Sequence, residues 1–152
     1  MKPLLILMLI SSTACATEER TILEDDLKGE LGEGWSWLRA ESEDWRLTDK
    51  GLEIRIRPGD ANTVQNALVR QAPEADRLAI EVTVEFLNPP TVQYEQAGIT
   101  WYHGDKPVFK IVHERIDGQL MVVPGKPLAE KIPVRLRLIV GGGRFIAQFR
   151  HQ

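Results

Sequence analysis

The chain predicts an all-β fold, an antiparallel β-sandwich, on three observations. Apolar and polar residues alternate with period two in several segments. Glycine and proline punctuate those segments, and no stretch keeps a helical period over three turns. The chain has 152 residues, which suits one domain, and its 43% apolar and 27% charged content is enough to bury a core. Lys and Arg number 19 against 22 Asp and Glu, a formal charge of −3 that argues against a nucleic-acid partner. A single cysteine excludes an internal disulfide and any multi-cysteine metal centre.

The amino terminus reads as an address. Met1-Lys2 is followed by the apolar run Leu4–Ile10 and then by the small residues Ser11 to Ala16. A positive start, a short apolar stretch and a small-residue exit form an export signal. The run is far shorter than the roughly 20 residues that a permanent membrane helix needs. The only cysteine follows it directly, and Ser12-Thr13-Ala14-Cys15 resembles a bacterial lipobox, with Ser12 where the pattern prefers an aliphatic residue. The expected organisation is a signal peptide over 1–14, a tether over 15–29 and one domain over 30–152. Lipidated at Cys15, the chain is expected at a membrane surface, periplasmic or cell-surface. Cleavage after Ala16, giving a soluble secreted protein, stays open beside it.

The strands follow in order. Leu23–Leu31 reads at most as a short helical turn, weakened by Gly29. Trp35 and Trp37 share one side of a first strand, and Trp45 lies in a second. Core packing is the expected role of at least two of the four tryptophans. Gly51–Arg57 alternates, with Leu52, Ile54 and Ile56 on one face. The segment 78–86 repeats the pattern until Asn88-Pro89-Pro90 stops it. Gln96–Tyr102 and Val108–Arg115 form an expected hairpin over 103–107, and Gln119–Val123 a shorter strand. Val134, Leu136, Leu138 and Val140 alternate with arginines, then Gly141–Gly143 turns the chain into a partner strand through Phe145, Ala147 and Phe149.

Five segments, taken together, also carry a resemblance. They are Trp35-Ser36-Trp37, Trp45 through Ile54, Asn66-Ala67-Leu68-Val69-Arg70, Tyr94-Glu95-Gln96-Ala97-Gly98-Ile99 and Lys110-Ile111-Val112-His113-Glu114. The series is similar to the concanavalin A-like lectin/glucanase superfamily. Its nearest branch is the "regulation of enolase protein" domain of unknown function, and it also resembles the C-terminal β-sandwich of family-43 β-xylosidases. The likeness runs over about residues 30–150 and implies a jelly roll of two curved sheets. Against that pattern, the closing strand is expected to be missing after Gln152, and the loop Asp117–Pro127 is short.

Strand alternation selects the candidate site. With Ala97, Ile99, Trp101, Phe109, Ile111 and His113 toward the core, Gln96, Thr100, Tyr102, Lys110 and Glu114 share the opposite surface, and Arg70 is expected to join from a neighbouring strand. Amides, hydroxyls and charges beside an aromatic ring suit a glycan. An ordinary solvated face with a Lys110–Glu114 ion pair is the competing reading. The expected function is non-catalytic carbohydrate binding. An enzyme using Glu95 and Glu114 as acid and base, or an assembly protein without a small ligand, are the alternatives. A retaining glycosidase needs carboxylates about 5–5.5 Å apart, whereas Glu81 and Glu85, four residues apart on one strand, stand roughly 13 Å apart. No metal site and no cofactor are expected, and the oligomeric state is left open.

Overall fold

A computed structural model describes residues 19–151. The expected export signal 1–14 and Cys15 lie outside the described residues. Ten strands follow one another: β1 (Trp35–Leu38), β2 (Trp45–Thr48), β3 (Gly51–Ile54), β4 (Ala67–Arg70), β5 (Arg77–Val84), β6 (Gln96–His103), β7 (Lys106–Ile116), β8 (Gln119–Val123), β9 (Val134–Gly141) and β10 (Arg144–His151). All named strands pair antiparallel, and the only helical element among the described residues is a 3-10 turn at Ser42–Asp44. The all-β class is therefore as expected, and no sheet closes on itself. No helix among the described residues is long and apolar enough to cross a membrane.

Two three-stranded sheets carry the core. One has the order β10-β9-β5 and the other β6-β7-β8. Period two puts Val134, Leu136 and Leu138 of β9 on one face, and all three are fully buried against Val84, Ile111, Val122 and Ala129. Ala97, Ile99, Trp101 and Phe109 of β6 and β7 pack on the same cluster, as alternation predicts. This arrangement is consistent with a β-sandwich. The two tight hairpins have a visible cause. Asp117-Gly118 between β7 and β8, and Gly142-Gly143 between β9 and β10, all hold positive φ, the conformation whose twist matches the flanking strands.

Two smaller two-stranded ribbons, β1-β4 and β2-β3, precede these sheets. They are tied together by the Trp37–Trp45 ring stack, with centroids 4.4 Å apart. Several expectations are corrected here. The strand expected over Gly51–Arg57 ends at Ile54: Ile56 is 43% exposed, and Arg57 swings to Asp44. The helical turn at Leu23–Leu31 does not form, because Asp25 and Asp26 accept the backbone N–H groups of Leu27 and Lys28 in turns of their own. The β6–β7 turn is tighter than expected, Gly104-Asp105 alone, and Pro107 sits inside β7 at a register shift opposite Tyr102. None of the four tryptophans is fully buried, and only Trp101 packs against the central cluster. Trp35 instead gives its ring N–H to Asp25 at 2.8 Å, which keeps it at the ribbon edge.

Candidate functional site

The site grows from the central hairpin. β6 and β7 pair so that Gln96 lies opposite Glu114 and Thr100 opposite Lys110. Gly98 falls between Gln96 and Thr100 on β6, and its missing side chain lets the β7 backbone at Ile111 and Val112 approach closely. Lys110 reaches along the sheet and donates from Nζ to Gln96 Oε1 at 2.6 Å. Gln96 Nε2 in turn donates to Glu114 Oε1 at 3.0 Å and to the Tyr94 carbonyl at 3.2 Å. The direct Lys110–Glu114 ion pair of the solvated-face reading does not form; Gln96 is inserted between the two charges. Glu114 is 5% exposed, while Gln96, Thr100 and Lys110 are half-buried. The result is a polar chain with a buried acidic end and a half-open basic end.

The remaining expected residues divide. Tyr102 stays on β6, and its hydroxyl donates to the Ala61 carbonyl at 3.1 Å, so it fastens the 58–66 loop to the hairpin. Arg70 does not join the group. Its strand β4 pairs with β1, opposite Trp35, and belongs to neither large sheet. There its Nη1 donates to the Glu33 carbonyl at 2.5 Å, and its guanidinium lies 5.6 Å from the Trp35 ring centroid. Glu95 is spent locally: one carboxylate oxygen accepts the backbone N–H of both Thr91 and Val92, at 2.5 and 3.0 Å. It caps its own turn while Glu114 binds Gln96, so the contacts do not unite the two carboxylates.

His113 lies on the inner face of the same strand, fully buried beside the Phe86 ring. Its Nε2 stands 2.8 Å from the Ala129 carbonyl and therefore carries the proton, which leaves Nδ1 as an acceptor with no partner. Burial is the main cause that pushes its pKa below the ordinary histidine range, with Ala129 and Glu130 opposing. It holds the β8–β9 connection to β7 as a neutral packing group.

A cleft of about 620 Å³ opens beside Trp101, between Leu78, Gly141 and the loop carrying Glu74 and Asp76. Sequence reasoning assigned Trp101 to the core, and its place beside Tyr102 near the end of β6 was the one signal for a rim position. The cleft is wide and its carboxylates are exposed. The Lys110–Gln96–Glu114 chain is the better site, because its polar groups converge and orient one another. Among the described residues no three His, Cys, Asp or Glu side chains gather as a metal would require. No protein-family model matches the chain, and no curated protein or solved structure is significantly similar to it.

Proposed function

We propose that this chain is an exported, lipid-anchored domain that binds a glycan without catalysis on the β6–β7 face of a concanavalin A-like jelly roll. The observation that supports it is the Lys110–Gln96–Glu114 chain. Its internal bonds fix the three side chains but leave donors and acceptors to spare. Lys110 keeps two N–H groups, Glu114 keeps its second oxygen, and the Thr100 hydroxyl stands across the strand from Lys110. Sugar hydroxyls need such paired, pre-oriented partners, and prior order lowers the entropy cost of binding. Non-catalytic binding is favoured over acid/base hydrolysis because Glu95 is engaged in its turn.

The test is an immobilised-glycan array probed with the wild-type chain and with Gln96→Ala and Lys110→Ala. A hydrogen bond to a charged group contributes about 1.5–3 kcal/mol, so each variant should lose tenfold or more on any glycan the wild type retains. Inertness of the wild type across the array, or equal binding by all three chains, would overturn the reading in favour of an assembly role. Anchoring is tested separately by lipid labelling: Cys15→Ser should lose the label and partition less to membranes, and an undiminished label or unchanged partition would contradict it.

A further inference from the structure

The outer face of the β10-β9-β5 sheet is far more basic than the formal charge of −3 for the whole chain suggests. Alternation places five arginines on it: Arg77 on β5, Arg135 and Arg137 on β9, and Arg144 and Arg150 on β10. Within the strand bounds the only acidic residue on this face is Glu81. It is taken up by the centre of the sheet, where Arg137 donates at 2.5 Å and Arg135 at 3.3 Å. The guanidinium groups of Arg77, Arg144 and Arg150 are exposed and, among the described residues, make no side-chain hydrogen bond or close ion pair, although the Arg150 charge still acts on the Glu81 carboxylate.

Register makes this an ordered surface. Arg77 and Arg144 flank Gly141 in one row, while Arg150 lies beside Arg135 at the other end. Between those rows lie an apolar row of Ala79, Ile139 and Ile146 and a polar row of Glu81, Arg137 and Gln148; Ile139 is buried at 6%, whereas Ala79 and Ile146 are exposed, Ile146 at 42%. Three strands and four such rows give a patch of roughly 10 by 20 Å. Exposed arginines beside the exposed side chains of Ala79 and Ile146 match the headgroup layer of an anionic bilayer, where arginine meets phosphate and aliphatic groups enter the interface.

The course of the chain supports the same occupant. The first described residue lies on this face, where the Glu19 carboxylate pairs with Arg137. Cys15 lies four residues earlier in the sequence, and four residues span at most about 14 Å. A lipid on Cys15 would thus hold this face, rather than the opposite sheet, against the membrane.

We infer that the outer face of the β10-β9-β5 sheet docks on an anionic phospholipid surface, orienting the domain with its β6-β7-β8 sheet directed away from the bilayer. The orientation rests on the anchor reading, whereas the charge recognition does not. Each arginine near an anionic surface strengthens binding about fivefold, and salt screens the effect.

The experiment is partition of the full-length chain onto phosphatidylcholine vesicles with and without phosphatidylglycerol. The wild type should prefer the anionic vesicles at least tenfold at low salt and lose that preference at high salt. The triple variant Arg77→Gln, Arg144→Gln, Arg150→Gln should bind both vesicles equally, and the corresponding lysine triple should keep the preference. Equal wild-type binding to both vesicles, a preference surviving in the glutamine triple, or retention by soluble heparin without a vesicle preference would overturn the inference. Cys15→Ser separates the two readings: it should bind less in total yet keep the anionic preference. Undiminished lipid label in Cys15→Ser would defeat the anchor and leave the basic face standing.

Discussion

In the ribbons at residues 35–70 the buried side chains are Asp44 and Asn66; in residues 77–151 they are Val84, Ile111, Leu136, Leu138 and their neighbours. Among the described residues every buried apolar side chain lies at Val84 or beyond. The two regions use the same kind of strand but are held by different forces. The later sheets remove a continuous aliphatic cluster from water, the dominant favourable contribution to folding. The ribbons depend on directional contacts. Asp44 accepts two bonds from Arg57, at 2.7 and 2.8 Å, and Asn66 accepts the Glu41 backbone N–H at 2.6 Å. Such contacts fix geometry yet return little net stability, because each charge or amide also loses water. Two buried donors, Asn66 Nδ2 and Trp45 Nε1, have no partner and weaken the ribbons further. The polar chain proposed for ligand binding stands on the rigid region, as a pre-oriented site requires.

The comparison breaks most sharply at Leu136. Leu136→Ala removes a fully buried side chain from the centre of the cluster and should cost about 2–5 kcal/mol, read as a lower urea midpoint. A loss under about 1 kcal/mol would mean that the cluster is not what holds the sheets.

Gly98→Ala comes next. A Cβ there would lie 2.2 Å from the Ile111 carbonyl oxygen and 2.7 Å from Val112 Cα, both backbone atoms. The expected cost is about 1–3 kcal/mol, with β6 and β7 forced apart; wild-type stability would show that the hairpin yields freely.

Acid should affect the regions in different windows. His113 is held neutral by burial, so the unfolded chain binds a proton that the folded chain resists. Stability of the later sheets should therefore fall as pH drops below the ordinary histidine value of about 6.5, and His113→Leu should flatten that slope. Asp44 has the opposite standing. Arg57 holds its carboxyl below the ordinary aspartate range, so its contribution is present above that range and is lost only as strong acid protonates it. Denaturation midpoints across pH check both, and an unchanged slope in His113→Leu would refute the first.

The smallest global effect is expected from Asp44→Asn. It should lower the urea midpoint less than Leu136→Ala does, remove the loss of stability in strong acid, and speed amide exchange at Arg55 and Asn66, near the lost ion pair.

Much of the fold could be read because the information was local. Val134, Leu136, Leu138 and Val140 show period two, and the Gly142-Gly143 turn folds them onto their partner with no distant residue involved. The same logic correctly grouped Gln96, Lys110 and Glu114 on one surface. What escaped depends on distant partners. Arg70 pairs across 35 residues with Trp35, a match that alternation within either strand cannot reveal. Glu95 caps a turn whose shape is set by Tyr94 at positive φ, and β3 ends early because Asp44 captures Arg57. In both cases a side-chain to backbone or ion-pair contact overrode a strand or catalytic pattern.

Native-state hydrogen exchange of the whole chain tests the division between the two regions most directly. The amides of Ile111, Leu136 and Leu138 should exchange only with global unfolding, while those of Leu47, Leu52 and Leu68 in the ribbons should open locally and exchange at least a hundredfold faster. Equal protection of ribbons and sheets, tracking a single denaturant-dependent opening, would contradict the account.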